Sequence, residues 1–282
     1  MTVENLQGRV FEPVGRCIYC GDGRQLGSEH IIPFSLGGNA ELPLASCRKC
    51  EGVTSYLDGY LARSIFRDHR IHSGIQTRNT YPEKLPAKLE VNGEKLEQDF
   101  PISHHPHFTV LPVFARAGVL EGREPGAIPP WKAAAFYDYP DELLHQFRTM
   151  GIDQFNLQQS GVINLSTFCR AIAKIAYCNW VAVKGIETLR HLQLIPLILG
   201  SYPYATDFVG CLGGQLPPPV EGSLHTISFR EETRGQLKLV TALIRLFANR
   251  GIRGENGRDD EGFPVYEVVL GAYPIRREQQ ML

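Results

Sequence analysis

The sequence predicts an α+β protein in which a small cysteine-framed module precedes a larger α+β domain built on an antiparallel sheet. Three observations carry this. Two C-x-x-C pairs, Cys17/Cys20 and Cys47/Cys50, enclose a strand-turn-strand pattern. A long apolar run, FCRAIAKIAYCNWVAVK, reads as a helix followed by Gly185. The last sixty residues carry three segments rich in β-formers, HTISF, LKLVTALIRLF and VYEVVLGAY.

A chain of 282 residues exceeds one typical domain, so two units are expected: a module over 1–80 and a larger unit over 107–282, with 81–106 connecting them. At 43% hydrophobic and 21% charged, the composition is that of a globular chain able to bury a core. MTVENLQGRV lacks the features of a signal peptide, and no stretch reaches the ~20 apolar residues of a membrane span. A cytoplasmic protein with no membrane partner is the expectation. The net charge of −1 excludes nucleic-acid binding by bulk electrostatics, so any basic surface must be local.

In order along the chain, a helix follows the second cysteine pair. Asn92-Gly93 between short alternating segments marks a hairpin. HFTVLPVF predicts a strand, 117–130 is a Gly/Pro-rich loop, and DELLHQFRTMG predicts a helix closing at Gly151. The long helix is capped by Ser166 or Thr167 and is apolar on nearly every face, which marks it as buried. Arg234-Gly235 supplies a turn between the first two late strands, and a polar loop over 250–262 leads to the third.

Seven cysteines, an odd number, in a chain without a secretory signal favour metal over a disulfide framework. Cys17, Cys20, Cys47 and Cys50 supply the four thiolates of a tetrahedral structural Zn²⁺, which leaves no open position for substrate. Cys169, Cys178 and Cys211 lie in apolar surroundings and read as core. Chemistry must then come from what the knuckles frame. That is Ser28-Glu29-His30-Ile31-Ile32-Pro33, then Gly37-Gly38-Asn39 and Leu42-Pro43.

Over residues 16–60 this pattern resembles the HNH endonuclease family, and in particular a phage and bacterial branch with EHIIP, LGG, LP and ASC-x-x-C followed by Thr-Ser, here Thr54-Ser55. The resemblance implies a ββα-metal fold and metal-dependent hydrolysis of DNA, in defence or mobile-element biology. His30 is then the general base and Glu29 a ligand of a catalytic Mg²⁺ or Mn²⁺. Two positions depart from the family pattern. The Asn of the motif is earlier than usual, at Asn39, and the final His or Asn is replaced by Glu51, an oxygen donor suited to a hard cation and the second expected ligand.

The chemistry is consistent with this reading, because an imidazole base and one divalent ion suffice for phosphodiester hydrolysis. Adjacent strand residues point to opposite faces, so Glu29 and His30 share a site only if a strand end or bulge separates them. In the following helix, Val53, Tyr56, Leu57, Tyr60, Leu61 and Ile65 form the expected buried stripe, while Asp58 reads as a solvated surface acid. Arg63, Arg67, Arg70 and Arg78 form a basic stretch suited to a DNA backbone, or a helix surface balanced by Asp68. His104, His105 and His107 have no spaced partner and read as a surface or junction feature. The alternative to an enzyme is a catalytically inactive, zinc-ordered nucleic-acid-binding or assembly module. In either case the C-terminal domain is free to form a homo-dimer or bind a protein partner.

Overall fold

The computed structural model describes residues 9–75, 80–152, 154–157, 163–189, 193–212, 224–248 and 264–274. In the N-terminal part, β1 (Leu26–His30) and β2 (Glu41–Cys47) form an antiparallel hairpin, with Leu26 opposite Cys47 and His30 opposite Glu41. Its register shifts between Gly27 and Glu29. One turn of 3₁₀ helix, Phe34–Leu36, fills the connection and ends on Gly37 at φ 86. Gly38 is required for a different reason: a Cβ there would overlap the Ile32 carbonyl.

Helix α1 (Arg48–Tyr60) starts at the second knuckle, passes through a π-helical turn at Leu61–Ile65 and is followed by α2 (Arg67–His72). Its buried side runs through Cys50, Thr54, Leu57 and Leu61. Tyr56, expected in that stripe, is 57% exposed. Cys50 must face the other cysteines, and this fixes the rotation of the helix. One residue is about 100° of turn, so Leu57 points inward and Tyr56 out.

Four strands and two helices follow: β3 (Lys84–Val91), β4 (Glu94–Pro101), β5 (His107–Phe114), α3 (Gly118–Glu121), β6 (Trp131–Asp138), α4 (Asp141–Thr149). β3 and β4 form the hairpin that Asn92-Gly93 predicts, and both turn residues have positive φ. β7 (Phe155–Leu157) joins the other edge of β3. Ala87, Leu89 and Phe100 pack with Leu143 and Phe147 of α4 in a small core. Segment 81–106 therefore does more than connect. β5 and β6 pair separately.

Helix α5 (Leu165–Lys184) is the centre of the fold: from Thr167 to Val181 every residue except Arg170 is buried. Its cap is Asn164, whose side chain accepts the Thr167 N–H, so the helix starts earlier than Ser166 or Thr167. Asn is as good a cap as Ser or Thr, and the apolar run hides the boundary. Beyond α6 (Leu194–Leu199) lie β8 (Val209–Leu212), β9 (Thr226–Arg234), β10 (Leu237–Arg245) and β11 (Val265–Pro274). They form an antiparallel sheet in the order β8-β11-β10-β9.

One continuous core includes Cys17 and Leu57 from the cysteine-framed part, Ile172 from α5, and Val268 from the sheet. The cysteine-framed part and the C-terminal sheet thus both pack against one buried helix. Cys169, Cys178 and Cys211 are buried in this core. The architecture is α+β, with small antiparallel sheets. Among the described residues, no helix is long and apolar enough to cross a membrane. The 250–262 loop lies outside the described residues.

Candidate active site and metal centre

The Sγ atoms of Cys17, Cys20, Cys47 and Cys50 all lie within 4.8 Å of one another, and Cys20 and Cys47 are 3.6 Å apart. Four thiolates at 2.3 Å from a tetrahedral ion sit about 3.8 Å apart, so the donor set fits a structural zinc. Backbone chemistry prepares the second knuckle. Cys47 is the N-cap of α1, and the backbone N–H of Cys50 in the first turn draws its thiol down to about 7. In the first, Gly21 has φ 78 and donates its N–H to the Cys17 carbonyl.

The cysteines anchor one end of the hairpin, and His30 stands at the other, opposite Glu41. The register shift falls at Gly27–Glu29, one step too early to bring Glu29 and His30 onto one face. Glu29 points inward and is 4% exposed, whereas the His30 ring is 28% exposed. Glu29 Oε2 accepts the Thr54 hydroxyl at 3.2 Å, and Oε1 lies 2.9 Å from Nζ of Lys174 on α5. The same ammonium donates to Asp58 Oδ2 at 3.1 Å and to the His30 carbonyl at 2.6 Å.

Lys174 is fully buried. Burial pulls its ammonium toward neutrality, but Asp58 and Glu29 more than reverse this and hold its pKa above the ordinary value. Burial also lifts Asp58, against the pull of Lys174. On the opposite face, His30 Nδ1 is 3.5 Å from Glu41 Oε1, too long for a firm hydrogen bond but within reach of its charge.

No protein-family model, curated protein or solved structure matches the chain.

Glu51 is exposed, and its Oε2 lies beside Gly27, 3.8 Å from where a Cβ would stand. Three residues of strand, about 10 Å, separate Gly27 from His30. Glu29 and Glu51 thus do not converge beside His30, and an ammonium already holds Glu29. As arranged, this pair does not fit a catalytic Mg²⁺ or Mn²⁺. Among the described residues, the four cysteines are the one group of three or more ligand side chains gathered within 4.8 Å. Asn39 is exposed in the turn before β2.

The expected arginine ridge is divided by the π-helical turn. Arg63 and Arg67 are exposed, and Arg67 lies 3.6 Å from Asp68. Arg70 is turned over the Tyr81 ring, with its guanidinium carbon 5.9 Å from the centroid. Arg78 lies outside the described residues.

Lys174, Asp58 and Glu41 were not among the sequence-derived site residues. Lys174 carries the clearest signal: a lysine in the middle of a helix that is apolar on nearly all faces must be buried against acids. Asp58 lies one helical turn beyond Thr54, on the side that Cys50 sets. Glu41 is recognisable only from the strand register.

Proposed function

We propose that the chain is an endonuclease of the HNH type that hydrolyses phosphodiester bonds in DNA, with His30 as the general base. The observation that carries this reading is the presentation of His30. Its backbone is tied down by Lys174, its ring is partly open to solvent, and a carboxylate stands beside Nδ1. With the Nδ1 hydrogen turned toward Glu41, the neutral ring offers the lone pair of Nε2 to a water molecule. As that water is deprotonated, the imidazolium forms next to the Glu41 charge, which stabilises it. On this reading the exposed Arg63 and Arg67 contact phosphate, as positioning groups rather than readers of sequence.

Zinc at the four cysteines holds the hairpin and α1 together. No step is assigned to a catalytic divalent ion, because Glu29 and Glu51 do not face a common point with His30. One His30 cuts one strand, so a double-strand break takes a dimer or two successive nicks. The test is nicking of plasmid and oligonucleotide DNA across Mg²⁺, Mn²⁺, Ca²⁺ and Zn²⁺. His30→Ala is expected to lose about 10²-fold or more in rate while keeping the cysteine-bound zinc. A variant that nicks at the parental rate overturns the proposal.

One observation favours a second reading, a zinc-ordered nucleic-acid-binding module without catalysis: Lys174 neutralises the acidic residue preceding the motif histidine. That reading expects DNA retention with no nicking under any of the four ions.

A further inference from the structure

We propose that His69, His72, His105 and His107 form a second metal site, for a transition-metal ion of the Zn²⁺ class, where α2 meets the start of β5. The sequence leaves His105 and His107 without partners, and the fold supplies them. His69 and His72 are three apart on a helix and share a face, while His105 and His107 are two apart on the approach to a strand and share another.

The rings meet in two close pairs. His69 Nδ1 is 3.1 Å from His107 Nε2, and His72 Nε2 is 3.2 Å from His105 Nδ1. Two imidazoles on one tetrahedral ion, each at 2.0–2.1 Å, place their nitrogens about 3.3 Å apart and their ring centres roughly 5 Å apart. The ring centres here are 4.9 Å apart for His69–His107 and 5.4 Å for His72–His105, while His72 and His107 are stacked, with centres 5.0 Å apart and planes 17° from parallel. The last contact joins the two pairs into one cluster.

The donor chemistry also matches. The Pro86 carbonyl can only accept, and it lies 3.3 Å from His105 Nε2, so that nitrogen carries the hydrogen and Nδ1 presents its lone pair toward His72. A backbone carbonyl on the far nitrogen is the usual way a metal-binding imidazole is oriented. His69 and His105 are nearly fully buried. The four nitrogens stand as two pairs rather than in a single shell like the cysteines. Binding draws the pairs together by torsion of the side chains, and the ion then staples α2 to β5. Neutral imidazoles in this arrangement select a borderline metal over Mg²⁺ or Ca²⁺.

The experiment is metal stoichiometry on the full chain, by elemental analysis after Zn²⁺ loading and by Co²⁺ titration. Wild type is expected to take two equivalents, one showing the strong thiolate-to-cobalt charge transfer of the cysteine site and one without it. His72→Gln/His105→Gln is expected to take one, with the thiolate band unchanged; that band also reports that the cysteine-framed part has folded. His72→Gln alone, at a half-buried position, is expected to weaken the second site at least tenfold. One equivalent in wild type, or two retained in the double variant, overturns the proposal. Neither outcome bears on nicking by His30.

Discussion

Lys174 Nζ lies 2.9 Å from Glu29 Oε1, and both groups are buried. This contact joins the central helix of the C-terminal part to the acidic residue of the Glu-His pair. It also places a cation where the motif resemblance expects a metal.

Lys174→Met should therefore leave two carboxylates facing an apolar interior. Breaking a buried ion pair from one side costs about 3–5 kcal/mol, and that loss is expected in urea denaturation of the zinc-loaded protein. Neutralising the partners as well, in Lys174→Met/Glu29→Gln/Asp58→Asn, should recover most of it, because no buried charge is then stranded. A single variant within about 0.5 kcal/mol of wild type, the range of a neutral surface change, contradicts the assignment.

Glu41→Gln tests the other face of the strand. If the carboxylate beside His30 Nδ1 stabilises the imidazolium, the nicking rate should fall roughly tenfold or more with little change in DNA retention, because the carboxylate acts on the transition state. Glu29→Gln should instead lower stability while leaving Mn²⁺ affinity unchanged. An equal rate in Glu41→Gln removes Glu41 from the site.

The difference between these two acids shows what was legible in the sequence. The knuckles, the Gly-Gly turn and the late strands follow from short spacings, which covalent geometry converts directly into local structure. The stripe of α1 departs from its apolar pattern at Tyr56 because Cys50, facing the other cysteines, sets the rotation of the helix. Asp58 reads from sequence as a surface acid, because its contact with Lys174 spans more than a hundred residues and no local periodicity encodes that pairing. The histidines at 69, 72, 105 and 107 became a cluster only when the fold brought a helix and a strand together.

Gly38→Ala is a local test of the turn beside His30. The added Cβ would meet the Ile32 carbonyl, and backbone cannot move aside as a flexible side chain can. A loss of about 1–3 kcal/mol is expected, as for other forced backbone strain. Gly52→Ala, on the exposed side of α1 with open space around it, should be neutral or slightly stabilising by helix propensity. Equal melting temperatures for the two variants would contradict the close approach at Gly38.

His225 couples the same turn to the C-terminal sheet, and it does so in one protonation state. Its Nε2 donates to the Leu36 carbonyl at 2.9 Å, and its Nδ1 accepts the Phe247 N–H at 3.1 Å. Phe247 has φ 54, a left-handed backbone that a bulky residue rarely adopts. Burial depresses the His225 pKa to about 4, and a second proton on the ring would set two N–H groups against each other at Phe247. The unfolded chain binds that proton near pH 6.5, so between about 6.5 and 4 it holds more protons than the native state. Stability is then fully present above that window and falls as pH drops through it, by about 2 kcal/mol at pH 5. Urea denaturation at pH 7 and pH 5 should show this extra loss in wild type and not in His225→Gln, whose amide does not titrate. Equal pH slopes for the two proteins would mean that the ring is protonated in the native state without penalty.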